Sequence, residues 1–239
     1  MVKKHFHIYV SKLHLLSTFV VVLLPLLFLV GFSHFTHIAL SQLTTDVVSS
    51  LYRIVIAYII SVVVGWVAAV TFYRGRLAAI ALPFFDILQS FPTFAALPLV
   101  VYVWGNSQVT VITFLVLAMI WPIFFSIVSS LKLIRSDWQE AVTISRISGF
   151  AYFKYFLWPA SIHGLITGSI IGLGEGWEVL VATEIIVASQ TGLGEFFNRY
   201  SQNFSLTALG ICGFLLLIFA INNLIWLPLL EYSHRMTED

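Results

Sequence analysis

The chain has 239 residues, a formal net charge of +1, and 59% hydrophobic, 15% aromatic and only 10% charged content. A water-soluble body carries about 25% charged residues, so this composition, with a mean hydropathy of +0.97, excludes a soluble protein and implies one integral membrane domain spanning 1–239. The near-neutral balance and the lack of a basic patch exclude nucleic acid as a partner. The single cysteine, Cys212, lies in an apolar run and is expected to serve as a small packing residue.

A bilayer crossing needs about 20 mostly apolar residues, because lipid offers no partner to an exposed backbone. Six stretches qualify. The first, 13–31, exceeds the roughly 7–15-residue core of a signal peptide and lacks a following A-x-A site, so a retained helix is expected. The second runs over 54–73 between Arg53 and Arg74. The third, 77–104, is too long for one straight crossing; Pro92 and Pro98 each remove a helical hydrogen bond, which predicts a kinked or broken helix. The remaining spans are expected at 109–131, 161–187 and 206–230.

With six spans, both termini share one side with the second and fourth loops. That side collects Lys3, Lys4, Lys12, Arg74, Arg76, Lys132, Arg135, Arg146, Lys154 and Arg235, against Arg53 and Arg199 opposite. The positive-inside rule then places both termini in the cytoplasm.

One cytoplasmic segment, 132–159, is long. Ser136-Asp137-Trp138-Gln139 has the form of a capping box, and a helical stripe follows at Ala141, Ile144, Ile147 or Ser148, and Ala151. An aromatic belt, from Phe150 to Trp158, leads into Pro159. Such a helix either connects two spans along the interface or docks a cytoplasmic partner.

In the fifth span Gly164, Gly168, Gly172 and Gly176 recur every four residues. This smooth face suits close helix packing within the chain or between copies, or leaves room for a passing solute. Glu175 and Glu178, on one face of that span, either form a satisfied buried pair or line a translocation path. Asp86, with Gln89 and Ser90, poses the same alternative in the third span. Asn222 and Asn223 could bond between helices.

Seven histidines (His5, His7, His14, His34, His37, His163 and His234) form no three-ligand constellation with Cys or carboxylates, so no metal site is expected. No G-x-x-x-x-G-K-[ST] loop occurs, so ATP would have to be hydrolysed by another chain. An intramembrane enzyme would need an H-E-x-x-H or Ser/His constellation, which is absent. A passive channel or scaffold subunit is the other alternative.

Glu140-Ala141-Val142 with Pro159 at the twentieth position resembles the EAA loop of inner-membrane permeases of bacterial ABC importers. Ser49-Ser50-Leu51-Tyr52-Arg53, Leu82-Pro83-Phe84-Phe85-Asp86, Ser90-Phe91-Pro92, Leu97-Pro98, Trp104-Gly105, Trp177, Ala182-Thr183-Glu184 and Gly192-Leu193-Gly194 resemble the nitrate/sulfonate/taurine/bicarbonate branch. The resemblance covers about residues 45–235. It implies an all-α, six-span type I permease fold and a coupling helix near 137–150 seated on ATP-binding subunits. Glu140, Ala141, Arg146, Gly149 and Pro159 carry that docking. ATP and Mg would sit on the partner, and no cofactor on this chain.

The resemblance further implies a second permease copy or related chain, and an extracytoplasmic substrate-binding protein meeting loops 32–50, 105–108 and 188–205. The location implied is a bacterial or archaeal inner membrane. Glu184 matches an often acidic position, implying local capping or pairing near the outer end of the path. The family's alanine and glycine at loop positions three and seven are Val142 and Arg146 here, and the leucine before the proline is Trp158. Arginine does not favour a sharp turn, so a more continuous helix, or a turn displaced to Gly149, is expected.

Overall fold

The computed structural model describes residues 12–187 and 189–231, with side chains from residue 19 onward except that of Ser136. Expectations for Lys3, Lys4, His5, His7, His234 and Arg235, and for the side chains of Lys12 and His14, lie outside the described residues. Described residues form helices and no strand. In order these are α1 (Lys12–Thr36), α2 (Leu40–Phe72), α3 (Gly75–Gln89), α4 (Leu97–Trp104), α5 (Gln108–Lys132), α6 (Ser136–Ile144), α7 (Gly149–Tyr152), α8 (Trp158–Ile186), α9 (Leu193–Arg199) and α10 (Phe204–Ile221). Five helices are long and apolar enough to cross a membrane, six if α3 and α4 form one broken span.

That broken span is the predicted one. The helix stops at Gln89, a 3-10 turn over Thr93–Ala96 follows Pro92, and the two halves meet at 84°. Proline's missing N–H and fixed φ make Pro92 a natural stop, whereas Pro98 sits in the first turn of α4, where no N–H is needed.

The second span differs from its expected bounds. α2 begins at Leu40, not near residue 54, and at 1.5 Å per residue its 33 residues extend about 50 Å. It therefore outreaches a hydrocarbon core of about 30 Å. The segment 32–50, expected as an external loop, is mostly helix with a short turn at 37–39, where His37 is left-handed (φ 58°).

α2, α5 and α8 form the spine. Ile54, Ala57, Val111, Phe114, Leu115, Met119, Ile123, Ile127 and Leu180 are buried between them. The glycine ladder lies on α5. A Cβ at Gly168 would stand 2.7 Å from the Ile123 Cα, and one at Gly164 would collide with the Ser126 carbonyl oxygen. Gly172 faces the Met119 backbone and Gly176 the Met119 side chain. Glycine is required at Gly164 and Gly168 because backbone, which cannot swing aside, occupies the space. Tyr58 Oη to Ser169 Oγ (2.9 Å), Trp66 Nε1 to Ser161 Oγ (2.8 Å) and Ser130 Oγ to the Ala160 carbonyl (2.8 Å) add hydrogen bonds between these helices. A smaller apolar cluster of Phe32, Ile38, Leu43 and Phe196 ties α1 and α9 to the start of α2.

Two π-helical turns, Phe153–Leu157 and Asn222–Trp226, each end two residues before a proline, Pro159 and Pro228. Trp158 N–H donates to the Phe153 carbonyl and Leu227 N–H to that of Asn222, each five residues back. The widened turn makes room where the proline ring would press on the carbonyl four residues earlier. Two expectations fail in α10 and the π-helical turn that continues it. Cys212 is exposed rather than packed, and Asn223 Nδ2 donates to Phe219 in its own helix (2.9 Å) rather than across helices.

Gly168→Ala is expected to destabilise the chain by about 1–3 kcal/mol through overpacking, read as loss of thermal stability in detergent. Gly174→Ala, whose added Cβ meets nothing within 4 Å, is the control and should be neutral or stabilising by up to about 1 kcal/mol. Equal responses would refute the close approach.

Candidate functional site

Three features carry the charged and exposed polar chemistry: a buried polar clasp, an acidic face and a protruding helix. The clasp lies at the end of α2 remote from Tyr73. Asp46, Ser50 and Arg53 recur at i, i+4 and i+7 on one face of α2, and α8 brings Glu184 against them. All four are buried. Arg53 Nη1 donates to Glu184 Oε1 at 2.5 Å and to the Thr191 carbonyl at 2.7 Å. The Ser50 hydroxyl donates to the same carboxylate, 2.8 Å from Oε1 and 2.9 Å from Oε2.

The clasp also captures three successive backbone amides at the start of α9. Gly192 N–H donates to Asp46 Oδ1 (3.0 Å), Leu193 N–H to Ser50 Oγ (2.8 Å) and Gly194 N–H to Glu184 Oε2 (2.8 Å). Such first-turn donors have no partner within their helix, and a carboxylate there also meets the positive end of the helix dipole. Gly192 is left-handed (φ 135°), and a Cβ on it would strike the Glu184 carboxylate; one on Gly194 would lie 2.5 Å from the Glu184 Cβ. Arg199 closes the group with ion pairs to Asp46 and Glu195, both at 3.4 Å.

Glu184, expected to cap or pair near the outer end of the path, is thus sealed inside the chain and does not line an open surface of it. Glu175 and Glu178 are not a buried pair: both are exposed on α8. Asp86 and Gln89 are exposed at the end of α3 before the break, and Gln89 Nε2 donates to Asp86 Oδ1 at 2.7 Å. Charge at membrane depth is tolerated where it meets protein or water, not lipid.

At the opposite end α6 protrudes. Val142 packs on the core, while Trp138, Glu140, Ala141 and Ile144 face outward, Trp138 57% and Ile144 82% exposed. The Ser136 side chain of the expected capping box lies outside the described residues. Arg135 occupies the cap position with no side-chain cap bond, its guanidinium paired instead with Asp137 (2.7 Å), and Gln139 Nε2 donates to the Ile134 carbonyl (3.3 Å). The stripe is not continuous, because α6 ends at Ile144 in a Schellman turn: Arg146 N–H bonds Thr143 (3.1 Å) and Ile147 N–H bonds Val142 (3.3 Å).

Arg146 itself adopts the left-handed conformation (φ 50°), overturning the expected continuous helix. The conformation costs about 1–2 kcal/mol for a residue with a Cβ. Gly149 (φ 58°) makes a second turn and starts α7, so the displaced turn exists as an addition. Pro159 lies in the first turn of α8.

From α7 the chain runs as one helical rod into α8. Tyr152 holds the end of α2: its hydroxyl is 3.3 Å from that of Tyr73 and accepts from Arg74 Nη2 at 3.1 Å. Trp66 lies against Phe153 and Trp158, with ring centroids 5.3 and 5.8 Å away.

Asp46 escaped the sequence reading and Arg53 passed for a loop charge. Their i, i+4, i+7 spacing with Ser50 was the available signal, hidden by starting the helix at residue 54.

Breaking the ion pair from one side strands a buried charge, so Glu184→Ala is expected to lose about 3–5 kcal/mol of stability. A double-mutant cycle checks the pairing by denaturation in detergent. Arg53→Met with Glu184→Met should lose less than the sum of the single variants; strict additivity would deny the coupling.

The family model described as "Binding-protein-dependent transport system inner membrane component" matches residues 61–227, more than two thirds of the chain. The nitrate import permease protein NrtB of Synechocystis sp. is 26% identical over 179 residues, covering 72% of this chain and 65% of the relative. The bicarbonate transport system permease protein CmpB of Synechococcus elongatus is 24% identical over 159 residues, covering 66% and 57%. The taurine transport system permease protein TauC of Escherichia coli is 28% identical over 190 residues, covering 79% and 68%. The chain thus spans less than two thirds of the nitrate and bicarbonate relatives' length. With its bundle of apolar helices, this chain belongs to the family of binding-protein-dependent transport system inner membrane components.

Proposed function

We propose that the chain is the permease subunit of an ATP-driven, binding-protein-dependent importer of a small solute. It would act in a bacterial inner membrane as one domain with the α6 end in the cytoplasm. The observation that carries this reading is α6: a short helix held to the bundle by Val142, with an apolar face of Trp138, Ala141 and Ile144 in the open. Solvent-exposed apolar residues of this kind mark a surface that another protein covers. ATP-binding subunits, carrying ATP and Mg, dock there, with Glu140 supplying charge at the contact. Arg146, Gly149 and Pro159 set the turns that lead from it.

Force entering at α6 has two routes into the bundle. One is the helical rod from Gly149 through α8; the other is the Tyr152–Tyr73–Arg74 contact into α2. Closure of the motors would then bias two packings of the bundle, inward- and outward-open. A second copy or related chain completes the face bearing Asp86, Gln89, Glu175 and Glu178, and the solute path runs between the two. A solute-loaded binding protein meets the opposite end, around 105–108 and 189–205.

Acid on the path opposes a bare anion. The substrate class favoured here is a neutral, zwitterionic or cationic solute, rather than the nitrate or bicarbonate in two relatives' names.

Co-expression with an ATP-binding subunit tests the reading. Glu140→Lys or Ile144→Glu should abolish co-purification and coupled ATPase while leaving membrane insertion and thermal stability unchanged, since both side chains are exposed. Retained co-purification in both variants would favour a passive channel or scaffold subunit.

A further inference from the structure

The clasp does more than neutralise a buried charge. A merely structural pair on α2 and α8 would need only Arg53 and Glu184. Here the same side chains, with Asp46 and Ser50, take the amides of Gly192, Leu193 and Gly194, and Arg53 takes the Thr191 carbonyl. Four successive residues of a connecting segment are thereby bonded to the ends of two spine helices, at bond lengths of 2.7–3.0 Å. Gly192 and Gly194 allow the contact, because a Cβ at either would collide with Glu184.

Apolar substitutes could fill the volume of the ion pair, but they would leave buried amides without acceptors. The arrangement therefore selects carboxylates for their acceptor oxygens as well as for charge. Arg199, exposed but paired with Asp46, ties the far end of α9 to the same group.

We propose that Asp46, Ser50, Arg53 and Glu184 are positioning residues that fasten the 191–199 segment to the ends of α2 and α8, so that this segment moves as one rigid body with the spine helices when the importer rearranges. The connecting surface then follows α2 and α8, the helices that receive force at the α6 end. This extends the importer reading and rests on it for the nucleotide-driven motion.

The test uses the full chain in lipid nanodiscs with its ATP-binding subunits, in a Cys212→Ser background. Nitroxide labels go on Val48→Cys of α2 and Asn198→Cys of α9, both exposed positions, and their separation is read by pulsed electron resonance. With clasp residues intact, the distance should change by less than about 2 Å between the nucleotide-free and ATP-Mg states, below the scale of a domain rearrangement. In Arg53→Met/Glu184→Met and in Asp46→Leu the distance distribution should roughly double in width. Asp46→Asn, which keeps an acceptor for the Gly192 amide, should restore the narrow distribution.

A structural role alone would lower the melting temperature without widening the distribution, and that result overturns the proposal. So does a nucleotide-dependent shift larger than the stated bound in the intact chain. If the double variant does not fold, the Asp46→Leu and Asp46→Asn pair decides. Failure to bind any ATP-binding subunit would remove the importer reading, while the widths measured without nucleotide still decide the fastening.

Discussion

A charge taken out of water has to meet an opposite charge, a set of hydrogen-bond donors, or water brought in from elsewhere. In this chain that constraint separates the acids of α8 into two kinds. Glu184 is fully served by Arg53, Ser50 and the Gly194 amide, and it is closed off. Glu175 and Glu178, two turns or so earlier on the same helix, are exposed, as is Asp86 on the broken span. Lipid cannot serve them. In the proposed importer, that surface is finished by another chain and by the water of a path.

The same economy of space explains why one helix can present two such different faces. Gly164, Gly168 and Gly172 bring the backbone of α8 against that of α5, and Gly176 makes room for the Met119 side chain. Contact between backbones resists sliding more than contact between flexible side chains does, so α8 is fixed in rotation about its axis. Its acidic face is then held outward, and Glu184 is held toward α2. The widened turn before Pro159 sits where this fixed rod joins the protruding segment. Trp66 and Tyr152 brace the junction from α2 and α7.

Much of this was legible in the residues. Scarce charges and long apolar runs located the spans; Pro92 located the break; the four-residue glycine spacing located the tightest contact. The errors have a common cause. Hydropathy finds the part of a helix that lies in hydrocarbon, not where the helix ends. α2 continues past its apolar run, so Asp46, Ser50 and Arg53 read as loop residues although they form a helical face. Pairing across 131 residues, as between Arg53 and Glu184, leaves no local pattern.

Arg146 misled for the opposite reason. Its side chain disfavours a left-handed turn, yet the backbone bonds to Thr143 and Val142 enforce one, so tertiary and capping geometry overrode propensity. The acids of α8 looked alike in sequence, and only packing told which was enclosed.

The central claim is that Glu175 and Glu178 face a water-filled path while Glu184 does not. Single cysteines at 175, 178 and 184, in a Cys212→Ser background within the assembled complex, can be probed with a membrane-impermeant maleimide. The account predicts labelling at 175 and 178 that changes when ATP is added, and none at 184. Protection of both 175 and 178 in every nucleotide state, or labelling at 184 alone, would contradict it.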